Sequence, residues 1–147
     1  MVITFMELTD FLKKVIDWAG SLPDCSGFAL LGSHARGEAT PASDIDLVFI
    51  TTTPQQYLRD TGWLGQFGEI LRTSREDWGK VQSVRVWYKD GYEVEFGIAD
   101  LSWVSLPLDE GTAKTISDGM VILYEKGRCL SSAIGSKRDS SEEAQAN

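Results

Sequence analysis

Apolar positions along the chain change their period several times, and each change marks an element. Phe5, Leu8, Leu12, Val15, Ile16 and Ala19 recur at helical spacing, with Glu7, Asp10, Lys13, Lys14 and Asp17 as the solvated face, and Gly20 with Pro23 ends the run. The pattern predicts a helix over residues 5–19. Phe28 to Leu31 is a first strand, and a helical turn over 33–38 is cut off by Thr40-Pro41. Asp44 to Thr51 is a second strand whose two faces both turn apolar after its start, as in a strand buried on both sides. Thr53-Pro54 opens a helix, Thr53 as N-cap and Pro54 at the first position, and it runs to Asp60. Trp63 to Phe67 is a further helical turn, Glu69 to Thr73 a short strand, and Ser74 to Lys80 a polar connection.

Val81 to Tyr88 and Tyr92 to Ala99 alternate around Asp90-Gly91, which predicts a hairpin with a two-residue type I′ turn. That register sets Trp87 opposite Val94, Val86 opposite Glu95 and Tyr88 opposite Glu93. It places Val84, Val86 and Tyr88 on the same face as the two glutamates. Pro107 to Asp118 is a weakly patterned helix ended by Gly119, and Met120 to Tyr124 a last extended segment. From Ser131 the chain is almost without apolar residues, so a flexible polar tail is expected over 131–147 behind one domain of residues 1–130. The fold class is α/β (α+β): a small mixed β-sheet flanked by helices.

One stretch carries chemistry, Leu30 to Ile50. An apolar strand end runs into Gly32-Ser33, and a strand that leads through such a turn into a helix presents free backbone N–H groups, a place to hold phosphate. Thirteen residues after Ser33 comes Asp46, preceded by Asp44. Strand alternation puts both carboxylates on one face. Two like charges at a buried strand start either raise their pKa values or take up a cation. Mg²⁺ suits carboxylates combined with substrate phosphates. A phosphate cradle facing paired carboxylates points to nucleotide chemistry.

Gly32-Ser33-His34-Ala35-Arg36-Gly37 followed by Ser43-Asp44-Ile45-Asp46-Leu47 resembles the G-S-x-A-R-G…S-D-x-D-L signature of the DNA polymerase β-type nucleotidyltransferase superfamily. Trp63-Leu64-Gly65-Gln66-Phe67-Gly68-Glu69-Ile70 is similar to the W-L-x-Q-F-G-x-I segment of the streptomycin (aminoglycoside 6-) adenylyltransferases. The resemblance covers residues 25–130 and implies the nucleotidyltransferase fold. It also implies transfer of a nucleoside monophosphate, AMP from ATP, to a hydroxyl of a small molecule such as an aminoglycoside, or of a protein. Two Mg²⁺ ions are expected, held by Asp44, Asp46 and a third carboxylate. The superfamily sets an acidic residue between two apolar ones on a neighbouring strand. Glu93 and Glu95 both fit. Glu95 is preferred because it lies further from the turn, where an unpaired carboxylate costs more, and either it or a metal-bound water would accept the acceptor's proton. Gly32, Ser33, Arg36 and Ser43 are the nucleotide-binding candidates. His34, the only histidine, occupies a position that varies in the superfamily and is not assigned as a base. Arg72, Arg75, Lys80 and Arg85 are candidates for the triphosphate tail, most of them ordinary surface charges.

Bulk composition narrows the partners. The chain has 147 residues, enough for one core, with 42% hydrophobic and 24% charged residues. A net charge of −8 argues against an extended nucleic-acid footprint but leaves nucleotide binding open. Cys25 and Cys129 lack metal or disulfide spacing, which fits a reducing cytoplasm, and neither a membrane span nor a signal peptide is visible. The streptomycin adenylyltransferases carry a helical region beyond this domain that helps form the acceptor site. The expected partner is therefore a second copy of the chain or a helical protein, with Trp63, Trp78 and Trp103 as contact residues; the alternative is a monomer acting on a bulky acceptor that itself closes the cleft. The reading from another class is a non-catalytic, antitoxin-type nucleotide-binding partner of a helical toxin.

Overall fold

The computed structural model describes the backbone of residues 5–135 and the side chains of 7–135. The side chain of Phe5, an expected core residue, and residues 136–147 of the expected tail lie outside these. Six strands form one mixed sheet in the order β3-β4-β5-β2-β1-β6. The strands are β1 (Cys25–Leu31), β2 (Ile45–Thr51), β3 (Ile70–Asp77), β4 (Gln82–Tyr88), β5 (Glu93–Ala99) and β6 (Met120–Glu125). β2 and β5 are parallel at the centre, and every other neighbouring pair is antiparallel.

Each sheet face buries a separate core. On one lie α1 (Phe5–Ser21), α3 (Pro54–Arg59) and a 3₁₀ turn (Gly62–Phe67). Phe11, Val15 and Ala19 of α1 meet Ile45, Leu47 and Phe49 of β2 there, with Val84, Val86, Tyr88, Val94 and Phe96 of the hairpin. Trp63, expected at a contact surface, instead stacks on Trp18 with centroids 4.9 Å apart and planes 4° apart, and meets Phe96 edge-on. On the other face Val48 and Ile50 pack with Trp103, Val104, Ile116 of α4 (Glu110–Asp118), Leu130 and Ala133. Trp103 is thus core as well, and of the three expected contact tryptophans only Trp78 is exposed, at 61%.

Four other expectations change. Thr53 precedes α3 without capping it; its hydroxyl donates to Asp24 instead. β3 runs on to Asp77 through the expected connection, because each residue from Thr73 to Asp77 pairs with β4. α4 starts three residues later than Pro107, since Asp109 accepts the Thr112 N–H at 2.8 Å and is the real cap. The expected tail is helical in its first residues, 131–135, which continue from Cys129. Leu130 and Ala133 are fully buried there, and Glu125 accepts the N–H groups of Leu130 and Ser131.

The largest change is in the hairpin register. Tyr88 N–H donates to Tyr92 O, so the loop has three residues, Lys89, Asp90 and Gly91, with Gly91 at φ 102°. The pairing becomes Val86 with Val94 and Arg85 with Glu95, one residue away from the expected register. A one-residue slip exchanges faces. Val84, Val86 and Tyr88 therefore leave the glutamates and join the aromatic core. Arg85 takes their place beside Glu95.

Candidate active site

One transverse row of the sheet collects the chemistry. Met120 pairs with Leu31, Leu31 with Asp46, Asp46 with Glu95, Glu95 with Arg85, and Arg85 with Ser74. Partners in a row share a face, so Asp46, Glu95 and Arg85 emerge side by side on the face that carries α4. The row lies where β1 ends and where β2 and β5 begin. The chain then leaves β1 through Gly32, at φ 71°, into α2 (Gly32–Arg36). A Cβ at Gly32 would stand 3.4 Å from the Asp46 Oδ2 atom, so glycine serves both the left-handed turn and the close passage past the carboxylate.

Asp44 stands just before β2, and Glu93 opens β5 two residues from Glu95. Arg85 gathers them. Its guanidinium donates to Asp44 Oδ2 at 2.8 Å and to Glu95 Oε2 at 2.9 Å. It also lies 3.4 Å from Glu93 and 3.5 Å from Glu76. Glu95 is the most enclosed of these carboxylates, its side chain 13% exposed against 37% for Glu93. Trp78 Nε1 donates to the other Glu95 oxygen at 3.3 Å.

Asp46 is treated differently. It is pushed up to about 7, chiefly by burial and then by the charges of Glu95 and Asp44; Arg85 opposes these and does not cancel them. For Arg85, burial works against the charge, and the Asp44 hydrogen bond with the charges of Glu95, Asp44 and Glu93 more than restores it. The row thus carries more negative charge than its one guanidinium neutralises. Beside it opens a cleft of about 430 Å³, walled by Trp78, Lys80, Ser83, Trp103 and Thr112 among others.

The remaining candidates scatter. Arg36 pairs with Glu38 at 3.2 Å on the surface. Ser43 closes the loop before β2 by accepting the Thr40 N–H at 2.9 Å. Lys80 pairs with Asp109 at the cleft wall, 3.3 Å apart. Arg72 lies 4.0 Å over the Trp87 ring, and Arg75 donates to the Leu58 carbonyl. His34 keeps Nε2 buried without a partner among the described residues.

Sequence reasoning named Arg85 only as one candidate for the triphosphate tail and missed its pairing with the carboxylates. The signal was present: Val84, Val86 and Tyr88 alternate with Arg85, and Val94, Phe96 and Ile98 alternate with Glu95. Pairing the two apolar sets across the hairpin sets Arg85 against Glu95 without any appeal to the turn type.

A model of the streptomycin adenylyltransferase family matches residues 6–141. The chain belongs to the streptomycin adenylyltransferase family. Among solved structures, an aminoglycoside 6-adenyltransferase from Bacillus subtilis superposes with a TM-score of 0.51 at 15% identity, over 66% of this chain and 35% of its own. The polymerase core of TRAMP, an RNA surveillance complex, gives 0.48 at 16% identity, over 63% and 31%. A toxin–antitoxin structure with AMP-PNP gives 0.44 at 11% identity, over 93% and 89%. The likeness to the Bacillus subtilis enzyme is one of fold, and the chain spans about a third of that enzyme's length. No curated protein matches the chain. The streptomycin adenylyltransferase fold thus accounts for the architecture: a mixed sheet, helices on both faces, and the Gly-Ser turn at the end of its first strand.

The family implies a divalent cation at the row, and the donors suit one. Asp44, Asp46 and Glu95 offer carboxylate oxygens, the ligands of a hard cation. Asp46 is left undercompensated, and Arg85 stands in as the local positive charge. Among the described residues no three acidic, imidazole or thiol side chains close on a single point; Asp44 and Glu95 are drawn onto the guanidinium instead. The chemistry of the site fits the cation, with Arg85 as its rival for the oxygens.

Proposed function

We propose that this chain transfers a nucleoside monophosphate, AMP from ATP, to a hydroxyl of a small molecule such as an aminoglycoside, or of a protein. The observation that supports this best is the juxtaposition of Gly32-Ser33 with Asp46 and, in register on the parallel neighbour, Glu95. Backbone N–H groups at the start of α2 hold the phosphates, and Ser33 adds its hydroxyl. Asp44, Asp46 and Glu95 hold Mg²⁺, two ions in the full complement. Bound there, the metal supplies charge neutralisation at the transferring phosphorus and activation of the acceptor oxygen. The chain's own part is positioning, with little covalent work. The cleft beside the row would admit the nucleotide or the acceptor, and Glu95 is the carboxylate that would take the acceptor's proton. Exposed Trp78 at the cleft rim is the contact residue for a second copy or a helical partner that completes the acceptor wall.

Incubation with each α-labelled NTP, Mg²⁺ and a panel of hydroxyl acceptors tests the reading. Label moves from ATP to an acceptor, Asp46→Asn and Glu95→Gln abolish the transfer, and Glu93→Gln retains it. Unaltered transfer by Glu95→Gln would remove that residue from the site. No transfer from any NTP, together with no metal-dependent nucleotide binding, would leave a family member without the activity.

A further inference from the structure

The cation that partly offsets this row's charge in the free protein is its own Arg85. We infer that Arg85 is the resident counter-ion of the carboxylate cluster, and that a divalent cation enters by taking Asp44 and Glu95 from it while Arg85 withdraws onto Glu76 and Glu93. The inference rests on the nucleotidyltransferase reading above and goes beyond it.

The geometry supplies both ends of this exchange. Arg85 spends its two shortest contacts, 2.8 and 2.9 Å, on Asp44 Oδ2 and Glu95 Oε2. Those two residues, with Asp46, are the ones proposed to hold metal. A divalent cation on the same oxygens would sit within a few ångströms of the guanidinium, and like charges at that range repel strongly in a part-buried site. The two cannot share the oxygens without loss, so they compete. Arg85 also has a second pair of partners outside the ligand set. Its Nε lies 3.5 Å from Glu76 Oε1, and its Nη1 lies 3.4 Å from Glu93 Oε2. These longer contacts can shorten when the first pair is surrendered. The guanidinium then keeps two carboxylates and is not stranded, and its planar fork suits such a re-pairing. A five-donor group with four carboxylate partners is a positioning residue: it sets how tightly the metal binds without touching the reacting atoms.

The test measures binding of Mn²⁺ alone to the full chain, by the loss of the free-ion electron paramagnetic resonance signal and by calorimetry. Arg85→Gln binds Mn²⁺ about tenfold more tightly than wild type, because a competing charge is gone. The double variant Glu76→Gln with Glu93→Gln binds it more weakly, because Arg85 has no second pair to withdraw to. A purely structural Arg85 predicts the opposite sign for the first variant, a disordered cluster with weaker binding. Should Arg85→Gln fold only with metal present, that rescue supports the exchange, and Arg85→Lys, which keeps a charge but loses the fork, takes its place with an affinity between the two. Equal or weaker Mn²⁺ binding by folded Arg85→Gln or Arg85→Lys overturns the exchange. If wild type then still shows Mn²⁺ binding that Asp46→Asn removes, the nucleotidyltransferase reading stands alone. Absence of Mn²⁺ binding to every variant, with and without ATP, overturns both.

Discussion

At opposite ends of the same two strands sit two aspartates that the fold treats in opposite ways. Cys25 pairs with Thr51 at one end of β1 and β2, and Leu31 pairs with Asp46 at the other. Asp24, at the first end, receives three hydroxyls on a single oxygen: Thr51 at 2.8 Å, Thr53 at 2.9 Å and Tyr57 at 2.6 Å. Burial alone would raise its pKa, but these donors outweigh it and hold Asp24 below the usual carboxylate range. Among the described residues Asp46 has no such donors, and it is pushed up to about 7 by burial and by its acidic neighbours. The fold can satisfy a carboxylate where satisfaction serves structure. At the Asp46 end it assembles further acids instead, and a proton on Asp46 or an added cation relieves the excess charge.

The largest expected effect separates the two ends by activity. Asp46→Asn lowers transfer by about a thousandfold or more, the scale of losing a preorganised charge at the transition state. Asp24→Asn leaves transfer within a few-fold of wild type at temperatures where it is folded. Similar kinetic losses in both variants would mean that the Asp24 end is not merely structural.

The second effect separates them by stability. Asp24→Ala costs about 3 kcal/mol in urea unfolding at pH 7, since three donors lose a charged acceptor. The Thr51 and Tyr57 donors are themselves buried, and the Tyr57 hydroxyl is held un-ionised by burial first and by Asp24 next. A cost below about 1 kcal/mol would show that water replaces the carboxylate freely.

How much of this was legible in the sequence follows from which interactions are local. The Gly32-Ser33 turn and the Asp44/Asp46 pair are local motifs, and the row of the sheet that joins them needs only the β1–β2 register. The apolar alternation of β2 also foretold two buried faces, as Val48 and Ile50 on one side and Leu47 and Phe49 on the other show. The hairpin was misread because Asp90-Gly91 was given more weight than the apolar alternation of its strands; the three-residue loop with Gly91 at φ 102° shifted the register by one. The pairing of Arg85 with Glu95 was missed for that reason. The Asp24 cluster was not legible at all, since its donors come from 27 to 33 residues away. Thr53 and Pro54 look like an ordinary helix start until Asp24 is placed beside them.

The third effect reverses the sign of an ordinary substitution. Asp46→Asn stabilises the metal-free protein at pH 8. A rise from the ordinary 3.8 to about 7 penalises the ionised form in the folded state. Each pKa unit is worth about 1.4 kcal/mol, so the rise bounds the gain at about 4 kcal/mol, and the open cleft reduces it to about 2. Saturating Mg²⁺ with ATP reverses the order, because only wild type gains by binding. A destabilised Asp46→Asn at pH 8 without metal would mean that Arg85 already satisfies the row.

The smallest effect is the shape of the two pH dependences, which should have opposite slopes. Asp46 has a folded pKa raised above its unfolded value. Its proton leaves the unfolded chain first as pH rises, so the stability linked to it is full below about pH 4 and falls until about pH 7. The advantage of Asp46→Asn over wild type should therefore grow across that window and level off above it. Asp24 has a folded pKa below its unfolded value, so it contributes stability above the ordinary carboxylate range and loses it as pH falls through the folded pKa. The disadvantage of Asp24→Asn should be constant from pH 5 upward and shrink in acid, below about pH 4. Thermal unfolding of the three proteins in chelator, at half-unit steps from pH 3 to pH 8, gives both differences from one data set. A difference for Asp46→Asn that does not change between pH 4 and pH 7 would show that Asp46 ionises normally in the free protein, and that the contrast between the two ends of β1 and β2 lies in geometry alone.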